Sequence, residues 1–88
     1  MKIEFLQSFH KDLSRIREKQ TLTAAKETIE QVESANTLAD MVGIKKMRGS
    51  KDYFRIRLGD YRIGLKLQDD TFVFVRFLHR KEIYRYFP

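Results

Sequence analysis

Tyr53-Phe54-Arg55-Ile56-Arg57-Leu58-Gly59-Asp60-Tyr61-Arg62 reads as two strands and a tight turn. Phe54, Ile56 and Leu58 alternate with Tyr53, Arg55 and Arg57, the period of a strand with one buried face. Gly59-Asp60 suits a two-residue hairpin loop, and a second alternating run begins at Tyr61. In such a hairpin Leu58 faces Tyr61, so Arg57 faces Arg62 directly, with Arg55 diagonally nearby on the same sheet face. Like charges set opposite each other destabilise a sheet. Three arginines there imply an anion that binds between them. Ion pairing of Arg57 and Arg62 with Asp52, Asp60 or a C-terminal carboxylate is the competing expectation, less favoured because the two arginines face each other.

The surrounding chain is short and basic. Its 88 residues suit a single domain spanning 1–88, with a small core and modest stability without a partner. It has no cysteine, which excludes disulfides and thiolate chemistry and suits a reducing cytoplasm. Lys2 is followed by no long apolar run, so neither a signal peptide nor a membrane span is expected. Formal net charge is +6 with a pI of about 9.8, which favours polyanionic partners. Residues 1–43 carry six Lys/Arg against seven Asp/Glu, and residues 44–88 carry twelve against five. The basic surface therefore belongs to the C-terminal half.

Periodicity sketches the remainder. Lys2–Leu6 is a short strand. Ser8 is a candidate cap for a helix with Phe9, Leu13 and Ile16 on its apolar face. After a turn near Lys19-Gln20, Thr21 or Thr23 opens a second helix with Leu22, Ala25, Ile29 and Val32 inward. The pair predicts an antiparallel helical hairpin packed on a sheet. Between Asn36 and Gly49 the pattern is ambiguous: Leu38, Met41, Val42, Ile44 and Met47 suit either a hydrophobic bridge or a short helical turn. Ile63, Leu65 and Leu67 face the core, Asp69-Asp70 is a turn, and Thr71–Leu78 is the last strand. Its register stays open. A strict two-residue turn puts Arg76 on the core face, and a longer or bulged connection, which is preferred, puts it with the other arginines.

The order strand, two helices, then three antiparallel strands resembles the RelE/ParE toxin superfamily. The residues that carry the likeness are Met47-Arg48-Gly49, Tyr53 through Ile63, and His79-Arg80-Lys81-Glu82-Ile83-Tyr84. The resemblance implies an α+β fold: an N-terminal strand and two-helix hairpin packed on a twisted antiparallel sheet, whose opposite face is basic and concave. It also implies that the extra C-terminal helix of some members is missing. The activity implied is that of a type II toxin–antitoxin toxin in the cytoplasm. RelE-like members cut mRNA on the ribosome, and ParE-like members inhibit DNA gyrase without catalysis. Expected partners are a cognate antitoxin and the ribosome with its mRNA, with no membrane and no cofactor.

Within the RelE-like branch, Arg55, Arg57, Arg62, Arg80 and Tyr84 match residues of the cleavage site, and His79 matches the histidine some members use as acid or base. Metal-free RNA cleavage must remove a proton from the 2′-hydroxyl, stabilise the phosphorane and protonate the 5′-oxygen. Guanidinium forks suit the second task. Arginine is a poor base because its guanidinium keeps its proton throughout the ordinary pH range. Histidine is the usual acid–base side chain near neutral pH, so His79 is the natural candidate, with capping of the strand end as its equal rival. Tyr84 suits stacking on a base or proton donation. Lys45, Lys46, Arg48, Lys51, Arg76 and Lys81 are assigned to RNA binding, although a solvated surface also suits the lysines. Tyr86 and Phe87 suit the core or an antitoxin contact. His10 and His79 lie far apart and give no metal-site signature. The expected function is a ribosome-dependent mRNA endoribonuclease. The alternatives are a gyrase inhibitor and a non-toxic nucleic-acid-binding module.

Overall fold

A computed structural model describes all 88 residues. The elements run β1 (Lys2–Phe5), α1 (Gln7–Ser14), α2 (Lys19–Ser34), a 3₁₀ turn (Leu38–Asp40), β2 (Ile44–Lys46), β3 (Tyr53–Leu58), β4 (Tyr61–Gln68), β5 (Thr71–His79) and the one-turn α3 (Ile83–Tyr86). One sheet of order β1-β5-β4-β3-β2 carries the fold. This is the expected α+β arrangement with three additions. β1 runs parallel to β5, β2 adds an edge strand beside β3, and a single helical turn follows β5.

The central hairpin has the register its loop dictates, with Leu58 opposite Tyr61 and Arg57 opposite Arg62. Gly59 supplies the positive φ of 58° at the first loop position. On the inner face Phe54, Ile56, Ile63, Leu65, Phe72, Phe74 and Phe77 are buried against Phe9 of α1 and Ala25 and Val32 of α2. The second turn is a strict two-residue one, with Gln68 opposite Thr71 and Asp69 at φ 55°. The strands then slip by one residue: Leu65 pairs with Phe74 but Gly64 pairs with Arg76, so Val75 bulges. A tight turn and a bulge therefore coexist, and Arg76 leaves the core face. The bulge also lets Phe77 join Phe72 and Phe74 inside.

Helix α1 completes the sheet edge where β1 stops. The Ser8 hydroxyl donates to the Val75 carbonyl at 2.6 Å, so it does not cap the helix, whose N-cap is Leu6. Buried Asp12 accepts the Phe77 N–H at 3.0 Å and grips Arg76 bidentately, 2.7 Å from Nε and 3.1 Å from Nη2. The upper edge of β5 is thus satisfied by side chains of a helix. Helix α2 begins at Lys19, ahead of both threonines expected to open it, because Glu18 is the N-cap. In the ambiguous segment Met41 and Met47 are buried, but Val42 is 83% exposed, so the bridge is partial.

The outer face is divided. Ile83, the first residue of α3, and Phe87, just after it, pack with Met47, Tyr53, Val75 and Leu78 into a second small core. Phe87 lies flat over Gly64, where a Cβ would meet its ring carbons at 2.8 Å. Phe87 is therefore core, whereas Tyr86 is exposed. The arginines of this face lie beyond the apolar lid, toward the β3–β4 loop, and Lys66 lies on its other side.

Candidate functional site

The arginines stand on that open end because of strand parity. Arg57 and Arg62 are opposed across β3 and β4, and Arg55 sits one same-face step back. The two ion pairs of the molecule are Arg76–Asp12 and a long, exposed Arg80–Asp60 contact at 4.0 Å. Arg55, Arg57 and Arg62 have no carboxylate partner. Arg62 is the most enclosed, at 8% exposure, and its Nη1 donates to the carbonyls of Gly59 (2.8 Å) and Tyr61 (2.7 Å). Arg55 Nη1 donates to the Gly43 carbonyl at 3.1 Å. Carbonyls orient these guanidiniums without neutralising them.

Electrostatics define the cluster. Burial, then Arg57 and Arg55, and more weakly Arg80, pull the Arg62 pKa below its ordinary value, while Tyr84 acts in the opposite direction. Arg55, Arg57, Arg80 and Tyr84 therefore all act on Arg62 through charge. An anion placed there would relieve mutual repulsion as well as gain charge-assisted hydrogen bonds. The Arg80 N–H donates to the Asp60 carbonyl at 2.8 Å, which ties the start of the C-terminal tail to the hairpin loop.

His79 is not in this cluster. It pairs with Tyr61 across the sheet, its ring edge-on to the Tyr61 ring at 5.7 Å, on the helix side. Its Nδ1 accepts the Lys81 N–H at 3.2 Å. The Val75 bulge decides this. Residues 76 and 79 have opposite parity, so the slip that turns Arg76 toward the arginine face turns His79 away from it. The Tyr61 ring contact and the hydrogen bond from Lys81 hold His79 at the end of β5, on the opposite face from Arg55, Arg57 and Arg62.

The expected RNA-binding cations scatter. Lys45 lies opposite Arg55 on the outer face, and with Lys46, Met47, Arg48, Arg55 and Tyr84 it lines a cleft between β2, β3 and α3. Lys51 and Lys81 are exposed on loops and take part in neither ion pair. Arg76 has the expected parity but is committed to Asp12, whose hydrogen bond raises its pKa against the opposing effect of burial. It is a structural residue and not a free cation. Lys66 escaped the sequence reading. It stands opposite Tyr53 with its ammonium 5.8 Å from the ring centroid, and its parity with Arg62 was the available signal.

A divided sheet, with two helices on one face and uncompensated arginines on the other, is the arrangement of a small basic toxin. Residues 3–84 match the family model described as the ParE toxin of the type II toxin–antitoxin system parDE, and the chain belongs to that family. It is a toxin of the type II toxin–antitoxin class within the RelE/ParE superfamily. It is 44% identical over 89 residues to Toxin RelE3 of Methanocaldococcus jannaschii, with 100% of both chains covered. The crystal structure of the RelB–RelE antitoxin–toxin complex from Methanococcus jannaschii matches with a TM-score of 0.79 and 42% identity, over 97% of this chain and 99% of that one. The RelBE2 toxin–antitoxin complex of Mycobacterium tuberculosis matches with a TM-score of 0.71 and 26% identity, over 90% and 96%.

Proposed function

We propose that this toxin cuts mRNA on the ribosome by attack of a ribose 2′-hydroxyl on its own 3′-phosphate, and that a cognate antitoxin neutralises it. The supporting observation is Arg57 directly opposite Arg62, beside Arg55, with no carboxylate among them. In the reaction the 2′-oxygen bonds to phosphorus and the 5′-oxygen leaves, giving a 2′,3′-cyclic phosphate and a 5′-hydroxyl. Arg55, Arg57 and Arg62 hold the phosphate and stabilise the charge that grows on its equatorial oxygens. Arg80 and Tyr84 act on Arg62 through charge and are the chain's candidates to hand a proton to the leaving oxygen, while the 2′-hydroxyl proton passes to a base supplied by the ribosome or to solvent. Guanidinium charge takes the part a metal would play, so the single domain 1–88 needs no cofactor for this chemistry.

Brief induction without an antitoxin, followed by mapping of mRNA ends on ribosomes, tests the reading. New 5′-hydroxyl ends within translated codons are expected. Intact mRNA on arrested ribosomes would refute cleavage. The family model is named for ParE, which supports a second reading, a gyrase inhibitor without catalysis. Pulse labelling separates the two: protein synthesis falls first for the nuclease, DNA synthesis first for the gyrase inhibitor.

A further inference from the structure

We propose that the free edge of β1 pairs antiparallel with the β1 edge of a second copy of this chain, about a twofold axis at Ile3, joining two five-stranded sheets into one. β1 closes the sheet on one side, with β5 as its only strand neighbour. A residue in a parallel strand sends its N–H and C=O to the same side. The Leu6 N–H donates to the Phe74 carbonyl at 2.9 Å, so Lys2, Glu4 and Leu6 turn their backbone groups to β5. Ile3 and Phe5 turn theirs to the open edge. Bare N–H and C=O groups along a sheet edge are a template for another strand. Side chains follow the same alternation. Ile3 and Phe5 share the inner face with Phe72 and Phe74, while Lys2 and Glu4 stand exposed on the outer face.

Charge selects both the partner and the register. Neither Lys2 nor Glu4 belongs to an ion pair within the chain. In an antiparallel pair centred on Ile3, Lys2 of each copy faces Glu4 of the other, and Ile3 faces Ile3. Opposite charges set across two strands attract, and this register makes two such pairs. The outward backbone groups meet as well, so Ile3 exchanges two hydrogen bonds with its counterpart. Centring the pair on Glu4 also aligns the outward groups but sets Glu4 against Glu4, which repels. Phe5 and Leu6, 37% and 44% exposed, extend an apolar flank along the same edge. The opposite edge of the sheet is kept from pairing with itself. At β2 the Gly43 carbonyl and the Met47 N–H bond to β3, so the backbone groups of Ile44 and Lys46 face outward, among the side chains of Lys45, Lys46 and Arg48. A second copy laid there would oppose cation with cation, a common device for keeping an edge single. The twofold axis at Ile3 stands perpendicular to the sheet, so both arginine clusters remain on one open face. They lie two to three strands from the joint, about 10–14 Å away.

The test exchanges the two charges. Chain freed from its antitoxin under denaturing conditions and refolded is followed by sedimentation equilibrium from about 1 µM to 1 mM, the range in which small interfaces associate. Wild type should approach twice its 10.6 kDa mass as concentration rises. Lys2→Glu and Glu4→Lys each turn both attractive pairs into repulsive ones and should weaken association about 10- to 100-fold. Lys2→Glu/Glu4→Lys restores the pairs with their signs exchanged and should return to within about threefold of wild type. Both positions are exposed, so melting curves of the dilute variants should match that of wild type. Amide exchange in the wild type gives a reading that needs no variant. The Ile3 and Phe5 amides should slow as concentration rises, while the Leu6 amide, already bonded to Phe74, should stay protected throughout. A chain that remains at 10.6 kDa at every concentration overturns the proposal. So do single variants that associate like wild type, or a double variant no tighter than the singles, which would place the contact elsewhere. A dimer whose Ile3 amide exchanges as fast as in the monomer overturns it as well.

Discussion

Replacing Asp12 should be the most damaging single change outside the hydrophobic core. Its carboxylate is 6% exposed and accepts three hydrogen bonds, two from Arg76 and one from the Phe77 backbone. Asp12→Ala leaves a backbone N–H at the sheet edge without an acceptor and strands Arg76. Breaking a buried pair by removing one partner costs about 3–5 kcal/mol. Arg76 keeps 27% of its side chain exposed and can recover some water, which places the expected loss near the lower figure, about 3 kcal/mol. For a domain of this size that lowers the melting temperature by roughly 12–24 °C. Asp12→Asn keeps an acceptor for Phe77 and should lose less. Asp12→Leu/Arg76→Met, which removes both charges, should recover much of the loss. Urea and thermal unfolding of chain freed from its antitoxin under denaturing conditions and refolded would measure all three. An Asp12→Ala protein within 0.5 kcal/mol of wild type, or a double variant no more stable than the single, would refute the account of this edge.

Other expectations concern the outer face. Arg62→Ala should abolish toxicity with a stability change within about 1 kcal/mol, because relief of about 0.2–1 kcal/mol of repulsion opposes the loss of two hydrogen bonds to carbonyls; growth assays beside melting curves check both halves. His79→Gln should leave the single-turnover cleavage rate per folded molecule unchanged, since His79 lies on the helix side; a drop of about 10²-fold or more would restore it as acid or base. Gly64→Ala should destabilise by about 1–3 kcal/mol by forcing the Phe87 ring off the sheet, and adding Phe87→Ala should remove most of the extra penalty, as unfolding of the single and double variants will show.

The central hairpin was legible because a two-residue loop leaves one register, and with it the facing arginines follow by counting. Legibility ended at Val75. Hydrophobicity alone could not place the bulge, since Phe72, Val73, Phe74, Val75 and Phe77 leave both faces apolar. That one residue sets the surroundings of Arg76 and His79. The edge strand β2 was hidden because three residues between Gly43 and Gly49 are too few to show alternation. Ser8 looked like a cap because local sequence cannot reveal that its hydroxyl is needed 67 residues away. Asp12 was unremarkable for the same reason. The arginine cluster needed only local pairing to be read, whereas the cleft beside it needed the missing strand.

The parallel pairing of β1 with β5 has a consequence for synthesis. Lys2 meets Thr71 and Phe5 meets Phe74, so the first strand made has no partner until the last has left the ribosome. Contacts so distant in sequence make folding late and slow to nucleate. Arg55, Arg57 and Arg62 are translated earlier, but on a growing chain they sit on an unsupported hairpin, which is marginal in water. The nascent toxin is therefore expected to be harmless to the ribosome that makes it, and to arm itself only after β5 emerges. Proteolysis of chains stalled at successive lengths should show protection of the hairpin appearing in one step once His79 is outside the tunnel; protection with β5 still inside would show that the hairpin folds without it.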